Sequence, residues 1–392
     1  ALLGVALLTA LVVWAVMRPA AQAPMLLARF TIVPPTGQAL AVSGIARDIA
    51  LSRDGTFLIY VGGRGQLMVR PIDRLDARPV PGVTNARAPF LSPDGRWVGF
   101  FTGVSGELRK VSVTGEPPIS ICRIVGAARG ASWSPDDKIV FATNEPTTGL
   151  LRVSAAGGRP EVLTTPDLAK GLEEDHLFPS VLPGGQSVLF TIAPVAARWD
   201  EGRLSGRGAG VQVAVLDLKT GQRRTLLRGA SQAEYVDTGH LIYNAGGTLR
   251  AVRFDLAKLE VLGDPAPVLE EVMTGGSGAA NFGVSGHGTL VYVPAGAGSQ
   301  TSGVSSLVWV TRQGREEPIA APLRNYVHPS LSPDGSRAAL TINDEERDIW
   351  SWDFTRQTLT RLTFDPDRES YPGWTPDGRR IVFVSARGSV FN

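Results

Sequence analysis

The 392-residue chain is long enough for two average domains or one large all-β domain, and its 43% apolar share excludes a disordered chain. Gly and Pro together make close to a fifth of it while charged residues reach only 19%, which argues against a coiled coil or a helical bundle. A formal charge of +2, with 34 of the 39 basic residues Arg and none in blocks, leaves no footprint for nucleic acid, and the single Cys122 excludes an internal disulfide framework and a Cys-rich metal site.

Residues 1–17 (ALLGVALLTALVVWAVM) are apolar or small and carry no charge. As a helix they would span about 25 Å, slightly short of a hydrocarbon core of ~30 Å. Arg18 and Pro19 end the run. Three readings compete: a membrane anchor over residues 1–18, a signal peptide with Ala21-Gln22-Ala23 as its cleavage signal, and a buried core helix. The anchor is the expectation adopted, with residues 19–28 as a linker. Both of the first two readings put the remainder outside the cytoplasm. A first residue other than Met, and a last strand-like run only a few residues before Asn392, give the expectation of a chain truncated at both ends.

From about residue 29 onward one phrase recurs. It reads SRDG at Ser52–Gly55, SPDG at Ser92–Gly95, SPDD at Ser134–Asp137, LPGG at Leu182–Gly185, VDTG at Val236–Gly239, SGHG at Ser285–Gly288, SPDG at Ser332–Gly335 and TPDG at Thr375–Gly378. Pro fixes φ for the first central turn position, Asp accepts local backbone hydrogen bonds, and Gly supplies the positive φ that closes a hairpin. Asp54, Gly55, Asp94, Gly95, Asp136, Asp137, Gly184, Gly185, Gly239, Gly288, Asp334, Gly335, Asp377 and Gly378 are therefore read as structural turn residues.

A nearly continuous apolar run follows each turn, such as Phe57–Val61, Trp97–Phe101 and Leu290–Val293, the pattern of strands buried on both faces. Third strands are predicted in most units, among them Gln66–Ile72, Val211–Leu218 and Leu307–Thr311. Shorter fourth strands follow, as at Arg223–Leu227. Four strands per repeat, at a spacing of 40 to 54 residues between phrases, predict an all-β fold: a β-propeller of seven to eight four-stranded blades over residues 29–392, preceded by one N-terminal membrane helix. Residues Arg29–Val33 are a candidate outer strand for an incomplete blade.

The phrases Ser332–Gly335, Asp348-Ile-Trp350, Arg361-Leu-Thr363 and Tyr371–Gly378 resemble the TolB-type, WD-repeat-like propellers of bacteria. The apolar helix, the short linker, and RFTIVPPTGQAL, LSPDGRWVGFF, GASWSPDD and LPGGQSVLFT together resemble the extracytoplasmic C-terminal half of bacterial transmembrane serine/threonine protein kinases. That resemblance implies a sensor region whose kinase domain lies upstream. No Gly-rich phosphate loop with a strand Lys, no His-Arg-Asp and no Asp-Phe-Gly is in this sequence.

No catalytic or metal-binding constellation is legible, and no cofactor is expected. Gly283-Val-Ser285-Gly-His287 falls short of a nucleophile elbow and occupies a repeat turn. His176, His240, His287 and His328 are far apart without metal-ligand spacing. Glu173-Glu174-Asp175 lacks the alternating ligands of a Ca²⁺ loop, and Gly202–Gly210 is not a dinucleotide fingerprint. Trp199, in an insertion, is the one aromatic singled out as a binding candidate. The expected function is a non-catalytic propeller that binds a protein or small ligand, attached to the membrane through residues 1–17 and without nucleic-acid partners. The alternatives are a secreted TolB-like scaffold and the propeller of a prolyl-oligopeptidase-like peptidase.

Overall fold

Each repeated phrase closes its hairpin with the same backbone bond, from the N–H of its fourth residue to the carbonyl of its first, and the first, second, seventh and eighth copies add the same side-chain exchange. In the second copy Ser92 Oγ donates to Asp94 Oδ1 (2.6 Å) and accepts from the Trp97 N–H (2.9 Å). Asp94 Oδ1 also accepts from the Arg96 N–H (3.0 Å), and the Gly95 N–H returns to the Ser92 carbonyl (2.9 Å). Gly95 sits at φ +69°, where an L side chain is strained. The seventh copy repeats these bonds through Ser332, Asp334 and Arg337. In the third copy Asp137 takes the glycine position at φ +60°, a conformation Asp tolerates better than most residues.

The computed structural model describes residues 31–34, 38–42, 46–103, 106–167, 175–193, 199–200, 203–204, 210–275, 278–295, 306–313, 315–343, 347–364, 369–387 and 390–391. Five antiparallel four-stranded sheets span residues 49–79, 86–123, 128–162, 175–228 and 231–269, with their strands paired in chain order. They are units 1 to 5. Unit 6 is a two-stranded pair, Phe282–Val284 with Leu290–Tyr292.

Alternation along each second strand explains the continuous apolar runs. In Phe57–Val61, Ile59 and Val61 pack toward unit 2 against Val98 and Phe100, while Leu58 and Tyr60 pack toward unit 6 with Val293. The same logic seals every neighbouring pair. Phe101 meets Phe141 between units 2 and 3, Leu150 meets Phe190 between 3 and 4, and Val213 meets Phe254 between 4 and 5. Leu249 and Phe282 join units 5 and 6. Six interfaces therefore close one ring, with Ile32, Leu40 and Val42 packed over the junction of units 6 and 1.

The expected single ring of seven to eight blades is corrected by this closure. The hairpin Val308–Val310/Glu316–Pro318, the four-stranded sheet of residues 326–361 and the three-stranded sheet of residues 369–391 form a further group. Their apolar cluster, Ala338, Leu340 and Trp352 with Leu307 and Ile319, lies within that group. The predicted third strand near Leu307–Thr311 does form, but it packs on the seventh repeat instead of completing unit 6. Residues 1–30, which include the expected membrane helix and linker, lie outside the described residues. Among the described residues no helix is long and apolar enough to cross a membrane. Residues 31–34 carry no strand, although Ile32 faces the core.

The first strands, Ile49–Leu51, Ala86–Leu91, Ala128–Trp133, Asp175–Val181, Ser231–Val236 and Phe282–Val284, line the centre of the ring. Several carry a bulge four residues before the turn. Ala88, Phe178 and Gln232 adopt φ between +48° and +51° there, and pairing shifts register across Arg87/Phe90, Leu177/Ser180 and Ser231/Glu234. His328 and Tyr371 repeat the feature in the seventh and eighth copies. Pro89, Pro179, Pro329 and Pro372 follow four of these residues, and a bulge is where a strand accommodates Pro.

Candidate functional site

The six first strands enclose a central cavity of about 190 Å³ to which all six units contribute. Its wall is unevenly charged. Units 2, 3 and 4 present Phe90, Ser132, Ser180 and the turn prolines Pro93, Pro135 and Pro183. Units 1 and 5 present Arg47, Arg53 and Glu234. Unit 6 lies between units 1 and 5 and offers only Gly283, Val284 and Gly286.

That small unit lets its two neighbours meet. Arg47 of unit 1 pairs with Glu234 of unit 5, and its Nη1 also donates to the Phe282 carbonyl of unit 6 (3.4 Å). The side chains of Arg47 and Glu234 are 23% and 18% exposed. Burial pushes the Arg47 guanidinium down to about 10, because removal from water disfavours its charged form. Nearer the rim, Arg53 Nη2 donates to Asp237 Oδ1 at 2.6 Å. The Gly286 N–H donates to the Arg53 carbonyl (2.7 Å), and the Asp237 N–H donates to the Gly286 carbonyl (3.0 Å). Two further links hold unit 6: the Asp48 N–H donates to Asn281 Oδ1 (2.9 Å), and the Gln232 amide exchanges two 2.8 Å bonds with Ala280.

The irregular repeats acquire a reason here. At the position where SPDG has Pro, units 1, 5 and 6 carry Arg53, Asp237 and Gly286. These are the residues that interlock at the seam. A Cβ on Gly286 would collide with Asp237 Oδ2, so any larger residue at that point would push the Asp237 carboxylate aside. The sequence reading treats all eight phrases alike as turns and so passes over the seam. A charge-for-proline exchange in two copies was the available signal.

The singled-out residues divide between rim and core. The carboxyls of Asp54, Asp94, Asp136 and Asp377 lie below the usual carboxylate range, and that of Asp334 falls to about 2. At Asp54, Asp94, Asp334 and Asp377 the hydrogen bond from the turn's own Ser or Thr is the main cause. At Asp136 burial is the largest single influence and acts upward, but the hydrogen bonds and charge of Lys138 together with Ser134 outweigh it. Gly55, Gly184, Gly185, Gly239, Gly288, Gly335 and Gly378 all take positive φ, as the turn reading requires. Ser285 is buried, and its Oγ accepts from the Thr289 N–H (3.0 Å) while His287 is exposed, so the pair forms a turn.

His176 is buried against Phe190 with Nδ1 on Thr164 Oγ1 (2.8 Å) and Nε2 on Arg223 Nη1 (3.0 Å). An Arg only donates, so Nε2 accepts and the ring is a neutral packing group. His328 stacks on Tyr371 at 4.0 Å, and His240 lies beside Thr238. Cys122 is buried, which pushes its thiol up to about 11. Trp199 pairs by its backbone with Leu204 in a two-residue ribbon, and its side chain lies outside the described residues, as do Glu173 and Glu174. Among the described residues no three His, Cys, Asp or Glu side chains gather to hold a metal ion.

No family model matches the chain. An uncharacterized protein of Agrobacterium fabrum is 32% identical over 155 residues, 38% of this chain and 48% of that protein. The chain thus spans about half the length of the curated relative it matches. Solved structures similar to it include a TolB-assigned protein from Agrobacterium tumefaciens, with 14% identity, a TM-score of 0.45, and coverage of 64% of this chain and 90% of that one. The Swd1 β-propeller domain of Myceliophteria thermophila shows 13% identity and a TM-score of 0.40 over 88% and 94%. Oligogalacturonate lyase of Vibrio parahaemolyticus shows 12% and 0.40 over 90% and 88%. Such likenesses assign no activity.

Proposed function

We propose that the ring is a non-catalytic recognition module held outside the cytoplasm, which binds a small ligand or protein at its central channel. On this reading it acts as the sensor region of a membrane-anchored serine/threonine protein kinase whose kinase domain lies elsewhere in the parent protein. The observation that carries it is the channel. Six first strands converge there, and two ion pairs from units 1 and 5 face one side of an otherwise neutral wall. The apolar run of residues 1–17 supplies the membrane side of the proposal. A reporter active only outside the cytoplasm, fused to the C-terminus of the chain in a bacterial host, is expected to give signal. Signal confined to a reporter that works only in the cytoplasm overturns the topology and the sensor role together.

A further inference from the structure

The Arg47–Glu234 pair stands out in a ring whose units are sealed mainly by apolar clusters. It joins two units that are not neighbours, and it borders a cavity. Both side chains keep solvent access while most of their surface is covered. Their hydrogen-bonding capacity is also only partly spent. A guanidinium carries five N–H donors and a carboxylate two acceptor oxygens. Arg47 uses Nη1 alone, and Glu234 uses Oε1 alone, among the described residues. Gly283 also lines the cavity without a side chain, and a Cβ there would stand 3.2 Å from the Leu51 N, tight against the neighbouring strand of unit 1. Ser180 of unit 4, the ring neighbour of unit 5, lines the same cavity. The site therefore offers adjacent unused donors and an unused acceptor.

Size and charge then select the ligand class. About 190 Å³ is below the ~300–1,000 Å³ of drug-sized sites, so an oligomeric ligand does not fit inside. Arg47 with Glu234 and Arg53 with Asp237 sum to zero. A ligand with a net charge would leave that charge uncompensated in a partly dry channel, which is costly. A ligand that carries a carboxylate and an ammonium side by side meets both partners at once, the carboxylate on the free guanidinium N–H groups and the ammonium on the free carboxylate oxygen. We infer that the cavity lined by the Arg47–Glu234 pair is a binding site for a small zwitterion of the α-amino acid type. This rests on the channel being the recognition site, but not on the kinase or the membrane topology.

The test is a set of melting curves and calorimetric titrations of the full chain with each of the twenty amino acids, and with propionate, isopropylamine and glucose as probes. At least one amino acid is expected to bind and raise the melting temperature, while the three single-function probes do not. Glu234→Gln should weaken that amino acid by about 10- to 100-fold, since an ammonium loses its charged partner. Ser180→Leu, which adds apolar volume to the cavity lining from unit 4, should abolish binding in a chain that still melts cooperatively, and it serves where Glu234→Gln does not fold. Propionate binding as tightly as the amino acid, glucose binding instead, or no binding by any amino acid overturns the inference. A reporter signal outside the cytoplasm together with no amino-acid binding would leave the sensor proposal standing and remove this one alone.

Discussion

Replacing Glu234 by Leu leaves the Arg47 guanidinium without its carboxylate, and a guanidinium cannot escape by deprotonation. Breaking a fully buried pair from one side costs about 3–5 kcal/mol. Here 23% and 18% of the two side chains still reach solvent and the Phe282 carbonyl remains as an acceptor, so about 2–3 kcal/mol is expected. Arg47→Met should cost less, since a partly exposed carboxyl can take up a proton. The double variant Arg47→Met/Glu234→Leu removes both charges and substitutes apolar volume, which is often neutral. Most of the single-site loss should therefore be recovered, a coupling of about 2 kcal/mol. Urea unfolding of the four proteins measures it. In heat the Glu234→Leu loss should appear as roughly 4–10 °C for a body of this size. A double variant as unstable as the sum of its parts would refute the argument, because the two residues would then act independently.

Gly286→Ala should cost about 0.5–1 kcal/mol by driving Asp237 off Arg53, an exposed pair, and should cost nothing further in an Asp237→Ala background; equal losses in both would show that the seam is not what requires the glycine. Asp94→Ala is expected to lose about 0.5–1.5 kcal/mol with the turn hydrogen bonds. Gly335→Val should lose about 1–3 kcal/mol from φ +72° alone, since a Cβ there meets nothing within 4 Å; thermal melts of both check the turn reading. The turn aspartates should also make the fold acid-sensitive. Their folded carboxyls titrate below the unfolded ~3.9, so their contribution is complete above about pH 4 and is lost as pH falls toward 2, the value at Asp334. Melting temperature against pH for Asp334→Asn should be flatter over that window than for the parent chain.

The strand content was legible because two periods coincide in the sequence: the phrase that makes the turn, and the apolar run whose alternate residues seal two interfaces at once. Phe57–Val61 shows both, and nothing about it required tertiary information. Ring size was not legible. A count of repeats cannot tell which interface closes, because every unit carries the same apolar faces. The closing residues differ from the consensus, and it is the departures Arg53, Asp237 and Gly286 that mark the end of the ring. The bulges were missed for a related reason: Ala88-Pro89 and Phe178-Pro179 interrupt otherwise plausible strands, and a Pro inside a strand is a positional statement about geometry. The channel pair was hidden because Arg47 and Glu234 lie 187 residues apart and neither belongs to a motif. Sequence periodicity thus reports what the units share, and recognition in a ring of repeats must come from what they do not share. On that argument the charged sector between units 5 and 1, and not the repeated turns, is where a ligand can distinguish this ring from any other.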